Sequence, residues 1–105
     1  MERVAFQLKI RKDKIADYDL AHKSVWPELI QRIRDAGIRD YSIFRRGQTI
    51  FLVMRVTDFD AAWNKLADDP INKKWQREMA EIFEDRQDVE PGERFPMFQE
   101  VFYME

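Results

Sequence analysis

The sequence predicts an α+β fold, one antiparallel sheet with helices on one of its faces. Three observations carry this. Residues 3–10, 40–45, 49–57 and 97–104 have the alternation or the apolar density of strands. Between the first and second runs, and between the third and last, apolar residues recur at helical spacing. Arg46-Gly47-Gln48 is a tight turn that joins the two middle runs into a hairpin. The order strand, helix, strand, strand, helix, strand is the ferredoxin-like β-α-β-β-α-β arrangement, in a single domain over residues 1–105.

Each element has a local reason. In the first strand Val4, Phe6, Leu8 and Ile10 point one way, and Ala5, Gln7 and Lys9 the other. Asp13 is placed to cap the next helix, where Ile15, Tyr18 and His22 follow at helical spacing. Pro27 lacks an N–H and clashes with a preceding helical turn. A break is therefore expected near Ser24, with Ser24 as N-cap of a second helical piece and Pro27 in its first turn. Trp26, Leu29, Ile30 and Ile33 form the stripe of that piece, and Gly37 is placed to end it. Asp58 caps a helix with the stripe Phe59, Ala62, Trp63 and Leu66. Asp69-Pro70 breaks that helix and opens another, lined by Ile71, Trp75, Met79, Ile82 and Phe83. Residues 84–95, with Pro91-Gly92, read as a polar loop before the last strand. Trp26 and Trp63 are assigned to the core, Arg45-Arg46 to a solvated hairpin tip, and the acidic run from Glu81 to Glu90 to a solvated surface.

Both faces of the sheet carry apolar residues. Phe44, Phe51 and Val53 lie opposite Ile43, Ile50 and Leu52, and Phe98 and Phe102 lie opposite Val101. A face that met only water would be polar. The second face is therefore expected to be covered, either by a second copy packed sheet on sheet or by the sheet curling round a ligand cavity.

Composition narrows the function. The 36% of charged residues nearly cancel to a net of −2, so there is no basic excess to grip phosphates, and nucleic acid is not expected as a partner. The chain has no cysteine, which excludes disulfides, thiolate catalysis and Cys-based metal sites. One histidine cannot make a multi-His metal site. No apolar run is long enough to cross a bilayer and no signal-peptide core opens the chain, so a cytoplasmic protein without a membrane partner is expected. Three scattered glycines cannot build a phosphate loop.

The one histidine, His22, stands four residues after Tyr18, so the two share a helix face. Histidine is the side chain whose unperturbed pKa lies near neutrality, and it can both give and take a proton there. An imidazole beside a phenol in an aromatic-rich segment fits proton transfer on a small polar ligand. A lone histidine on an amphipathic helix is, however, more often a hydrogen-bonded packing residue than a catalyst, and spacing alone favours that reading. On the same grounds Trp75, at helical spacing with Ile71 and Met79, and Tyr41, on a strand, read as packing.

The segments AFQLKI, Tyr18-x-x-x-His22, Trp26-Pro27-Glu28-Leu29, Asp40-Tyr41-Ser42-Ile43-Phe44, Lys73-Lys74-Trp75 and Gln99-Glu100-Val101-Phe102-Tyr103 occur in that order. Together they resemble the L-rhamnose mutarotase family over nearly the whole chain. The resemblance implies a homodimeric α+β barrel that interconverts the α and β anomers of a 6-deoxyhexose, without a cofactor. L-rhamnose is the first expectation for this monosaccharide, and L-fucose or another deoxysugar the alternative. It also implies His22 as proton donor, Tyr18 and Tyr41 as sugar-contacting tyrosines, and Trp75 as the first of two consecutive sugar-binding tryptophans. Gln76 stands at the second of those positions, where its amide would reach a sugar hydroxyl. EDRQDVEPGERFP replaces the family's Asn-Pro-Asp-Asn-Ser-Pro-like stretch. Both departures touch the expected pocket and bear on which sugar it takes. By fold analogy alone, dimeric α+β barrels also include small oxygenases, haem-binding proteins and ligand-binding modules, where His22 would be a haem ligand or a structural residue.

Overall fold

The alternation at the N-terminus forms strand β1 (Glu2–Lys9) in the computed structural model, which describes residues 1–105. A single 3₁₀ turn (Lys12–Lys14) leads into α1 (Ile15–Lys23) and α2 (Pro27–Asp35). The hairpin β2 (Ile38–Arg46) and β3 (Thr49–Val56) follows, then α3 (Phe59–Ala67), α4 (Pro70–Met79) and the short β4 (Met97–Phe98). The sheet runs β2-β3-β1-β4, every pair antiparallel. Its inner face buries Phe6, Ile50, Leu52 and Met54 against Leu29, Phe59, Leu66 and Trp75 of the helices. The expected ferredoxin-like architecture is therefore present.

Of the three predicted caps Asp58 forms and Asp13 and Ser24 do not, and Asp69, expected only to break one helix before the next, caps as well. The Asp58 carboxylate accepts from Ala61 N at 3.0 Å, and that of Asp69 from Ile71 N and Asn72 N at 2.9 and 3.2 Å. Asp13 caps nothing, because the chain has already turned at Arg11, whose carbonyl accepts from Lys14 N at 3.0 Å. Ser24 closes α1 instead of opening α2. The residue before a proline is pushed out of the helical region, so Trp26, at ψ 129°, becomes the N-cap and Pro27 the first helical residue. Gly37, at φ 93°, ends α2 in a conformation that L side chains rarely adopt.

The last strand is much shorter than expected. Only Met97 and Phe98 pair with β1, opposite Phe6 and Ala5. Beyond them the chain leaves the sheet and clasps Arg3. Its Nε donates to Glu100 at 2.7 Å, and its guanidinium lies 3.5 Å from the centre of the Tyr103 ring. Val101, Phe102 and Met104 are left exposed. The expected loop after α4 is anything but free. Ile82 O accepts from Arg11 N at 2.7 Å, Glu84 N donates to Lys9 O at 3.0 Å, and the Gln87 side-chain amide bonds both the N–H and the carbonyl of Lys9. These bonds prolong the ladder past the end of β1.

A bulge in β2 decides which way Tyr41 faces. Arg39 pairs with Arg55 and Ser42 with Val53, so three steps on β2 span two on β3. The extra residue is Asp40, held at φ 51°. Side chains alternate along a strand, and one inserted residue inverts the phase beyond it. Ile38 is buried, and Tyr41 and Ile43 turn to the same inner face, with Ser42 and Phe44 outside. Aspartate is among the few non-glycine residues that adopt the left-handed conformation readily. Asp40→Val is therefore expected to cost about 1–2 kcal/mol, whereas Asp40→Gly leaves stability near native. Urea denaturation of both variants checks this, and a valine variant as stable as the native chain would refute it.

Candidate functional site

His22 lies in the last turn of α1 and is half-buried. Its Nδ1 is 2.8 Å from the carbonyl oxygen of Tyr18. A carbonyl can only accept, so the hydrogen-bond network assigns the proton to Nδ1 and leaves Nε2 as the position that can exchange a proton with a ligand. The imidazole stacks on the Tyr18 ring at 4.1 Å between centroids and meets the edge of Trp75 at 5.6 Å. Trp75 is in turn wedged edge-on against Trp26 at 5.0 Å. Helix α1 is tied to the hairpin by Arg45, whose guanidinium donates twice to Asp19, both at 2.7 Å. This bond holds the Asp19 carboxyl below the usual range. Arg45, expected at a solvated tip, thus has a partner beside Tyr18.

Two adjoining cavities open on this histidine. An inner chamber of about 440 Å³ lies between the sheet and the helices, and a side chamber of about 490 Å³ lies between α2 and β2. His22, Tyr41, Ile43 and Trp75 line both. Each volume falls in the usual range of ligand sites, about 300–1,000 Å³. Tyr18 and Gln76 line the inner chamber, so all five residues singled out in the sequence meet at one place. Trp75 is 8% exposed in the core and also walls both cavities. Gln76 is exposed at the rim, its Nε2 3.5 Å from Asn72 Oδ1.

Both phenols stay neutral through the physiological range. Burial pushes the Tyr18 hydroxyl well above its ordinary pKa, with the Asp19 charge adding to it. Burial does the same for Tyr41, with Tyr18 adding a smaller effect. They can hold hydroxyls by hydrogen bonding but are poor bases. A phenol raised in the folded state favours folding fully below its unfolded pKa of ~10, and that contribution is lost as pH climbs from there towards the folded value. Tyrosinate absorbance during alkaline titration should accordingly show Tyr18 and Tyr41 ionising only as the chain unfolds. Less tyrosinate in Tyr18→Phe than in native protein before unfolding would contradict this for Tyr18.

Other residues reach the chamber unannounced. Glu84 and Gln87 line it, although the acidic run was expected in solvent, and Trp63, Phe95 and Arg94 form its far side. Phe95 stacks on Phe6 at 4.5 Å with ring planes 10° apart. No local pattern signals these contacts, because they depend on how residues 80–96 cross the open end of the sheet. The composition of EDRQDVEPGERFP, polar but with an embedded Phe95-Pro96, was the one available hint.

A ferredoxin-like α+β protein with an imidazole, two neutral phenols and an indole around one open chamber is of the class that performs acid–base chemistry on a small polar ligand. The chain belongs to the L-rhamnose mutarotase family, whose model matches residues 3–104. An L-rhamnose mutarotase of Formosa agariphila is 38% identical over the whole of both chains. One of Rhizobium meliloti is 38% identical over 87% of this chain and 88% of the relative. A crystal structure of an L-rhamnose mutarotase from Formosa agariphila superposes over the full length of both chains with a TM-score of 0.78 at 36% identity. The tetracenomycin F2 cyclase of Streptomyces glaucescens, a type-II polyketide cyclase, aligns with a TM-score of 0.58 at 16% identity and shares the fold alone. Membership of the mutarotase family makes the protein an anomerase, an enzyme of the isomerase class, and sets aside the oxygenase and haem-binding alternatives.

Proposed function

We propose that the protein interconverts the α and β anomers of L-rhamnose by opening and closing the pyranose ring. The observation that carries this is His22, with Nδ1 committed to the Tyr18 carbonyl and the ring on the wall of an open, aromatic-lined chamber. As an imidazolium His22 protonates the ring oxygen through Nε2 while the anomeric hydroxyl gives its proton to solvent water in the open chamber. The C1–O5 bond breaks and leaves an aldehyde. Rotation about C1–C2 presents the other carbonyl face, and closure returns the proton to His22 by the same route reversed. Tyr18 and Tyr41, both neutral, hold hydroxyls, and Trp75 offers an indole to the apolar C–H face of the sugar.

NMR saturation transfer between the two anomeric protons tests the reading. Exchange accelerated by the protein well beyond buffer is expected, and exchange at the buffer rate with every deoxyhexose tried would dismiss it. One observation favours L-fucose as a second substrate. L-Fucose and L-rhamnose differ only in the configuration at C2 and C4. Gln76, loosely held by Asn72, offers a hydrogen-bonding amide where the family has an indole that can only stack or donate.

The protein is also proposed to be a cytoplasmic homodimer with a monosaccharide as ligand, and with neither nucleic acid nor membrane as partner. Phe44 and Phe98 are 61% and 50% exposed on the outer sheet face, next to the unpaired tail with Val101, Phe102 and Met104. A patch of this kind on a monomer calls for a covering surface. The net charge of −2 disfavours phosphate partners, and no helix is long and apolar enough to cross a membrane. Sedimentation velocity giving a monomer at micromolar concentration would count against the dimer.

A further inference from the structure

We infer that Arg94 is a substrate-binding residue, its guanidinium donating hydrogen bonds to ring hydroxyls of the sugar remote from the anomeric carbon. This deepens the anomerase reading and rests on it. Arg94 is the one arginine or lysine on the wall of the inner chamber. It is held in place on both sides. Its Nη2 donates to Asn64 Oδ1 at 2.7 Å, next to it Phe95 is wedged against Phe6, and Pro96 O accepts from Gln7 N at 3.2 Å.

Its guanidinium is exposed and not ion-paired, with the Glu84 carboxylate elsewhere on the same chamber wall. None of the six ion pairs of the protein involves Arg94. The adjacent carboxylate, Glu93, turns away to accept from the backbone N–H groups of Glu90 and Met97, at 2.9 and 3.4 Å. A guanidinium has five N–H donors in a planar fork, and a neutral amide takes one of them here. The rest match the paired oxygens of a vicinal diol. The position follows from the chemistry at the other wall. C1 and the ring oxygen must meet His22 on α1, whereas Arg94 stands with Asn64 of α3 and close to β4. Asn72 and Gln76 of α4 line the same chamber and complete a polar set.

The test compares native protein with Arg94→Ala and Arg94→Lys, with kcat and KM for L-rhamnose and L-fucose measured by saturation transfer. One hydrogen bond to a charged group predicts a KM about tenfold or more higher in Arg94→Ala, with kcat within about threefold and an unchanged melting temperature. Arg94→Lys falls between the two, because it keeps the charge and loses the fork. Among the 2-, 3- and 4-deoxy derivatives of the preferred sugar, at least one should bind native and Arg94→Ala equally. A KM within twofold of native, or a fall in kcat alone, overturns the assignment. Chemical-shift titration with the same sugars keeps the two readings separable. A native protein that binds sugar without accelerating exchange sinks the anomerase reading. Equal affinity of native and Arg94→Ala for every sugar sinks the role of Arg94.

Discussion

His22→Ala exchanges the anomers about 10²–10⁴-fold more slowly than the native chain, the usual worth of a positioned proton-transfer group. The loss should fall on kcat, since the chamber walls stay in place. Alanine has the highest helix propensity, and His22 is half-buried with one hydrogen bond to its own helix, so α1 survives the change. An unaltered circular dichroism spectrum would separate lost chemistry from lost structure. The readout is saturation transfer at several protein concentrations. A variant as fast as native would remove His22 from the mechanism and leave its bond to Tyr18 as a purely structural contact.

Trp75→Ala is the most damaging single truncation expected for stability, at about 3–5 kcal/mol by the cost of deleting a large core side chain. Small domains have only about 5–15 kcal/mol in total, so the variant stands near the edge of folding at 37 °C. Trp75 is wedged between Trp26 and His22, and it borders the small void of about 80 Å³ beneath α2 as well as both chambers. Its removal merges these spaces and frees the imidazole. Trp75→Phe keeps an aromatic wall and should recover most of the stability with weaker sugar binding. Guanidinium denaturation reads the first effect and sugar titration the second. A loss below about 1 kcal/mol in Trp75→Ala would show that the indole is not part of the packed wall.

The placement of several candidate site residues could be read from the sequence because it is local. Tyr18 and His22 share a helix face through a spacing of four, and Trp75 and Gln76 fall on the helix that Pro70 opens, while their roles rest on the family resemblance alone. Tyr41 is different. Alternation within residues 40–45 already sets it on the face of Ile43, but only the register against β3 reveals the extra residue at Asp40, which brings Ile38 to the same face. The last strand failed for a related reason. Its apolar run has strand composition, yet Arg3 captures Glu100 and Tyr103 before a ladder with β1 can extend.

The sequence by itself determined the order of elements, the inward phase of β1 and β3, the cap at Asp58, the break at Asp69-Pro70, and the family. These follow from interactions within a few residues, or from residue identities read in order. Only the tertiary structure decided that an open chamber adjoins His22, and that Glu84 and Arg94 line it. It also decided that Tyr41 lines the same chamber as Tyr18. Each of those depends on atoms that the chain brings together from distant positions, where register, side-chain packing and the crossing of residues 80–96 act jointly and leave no local pattern.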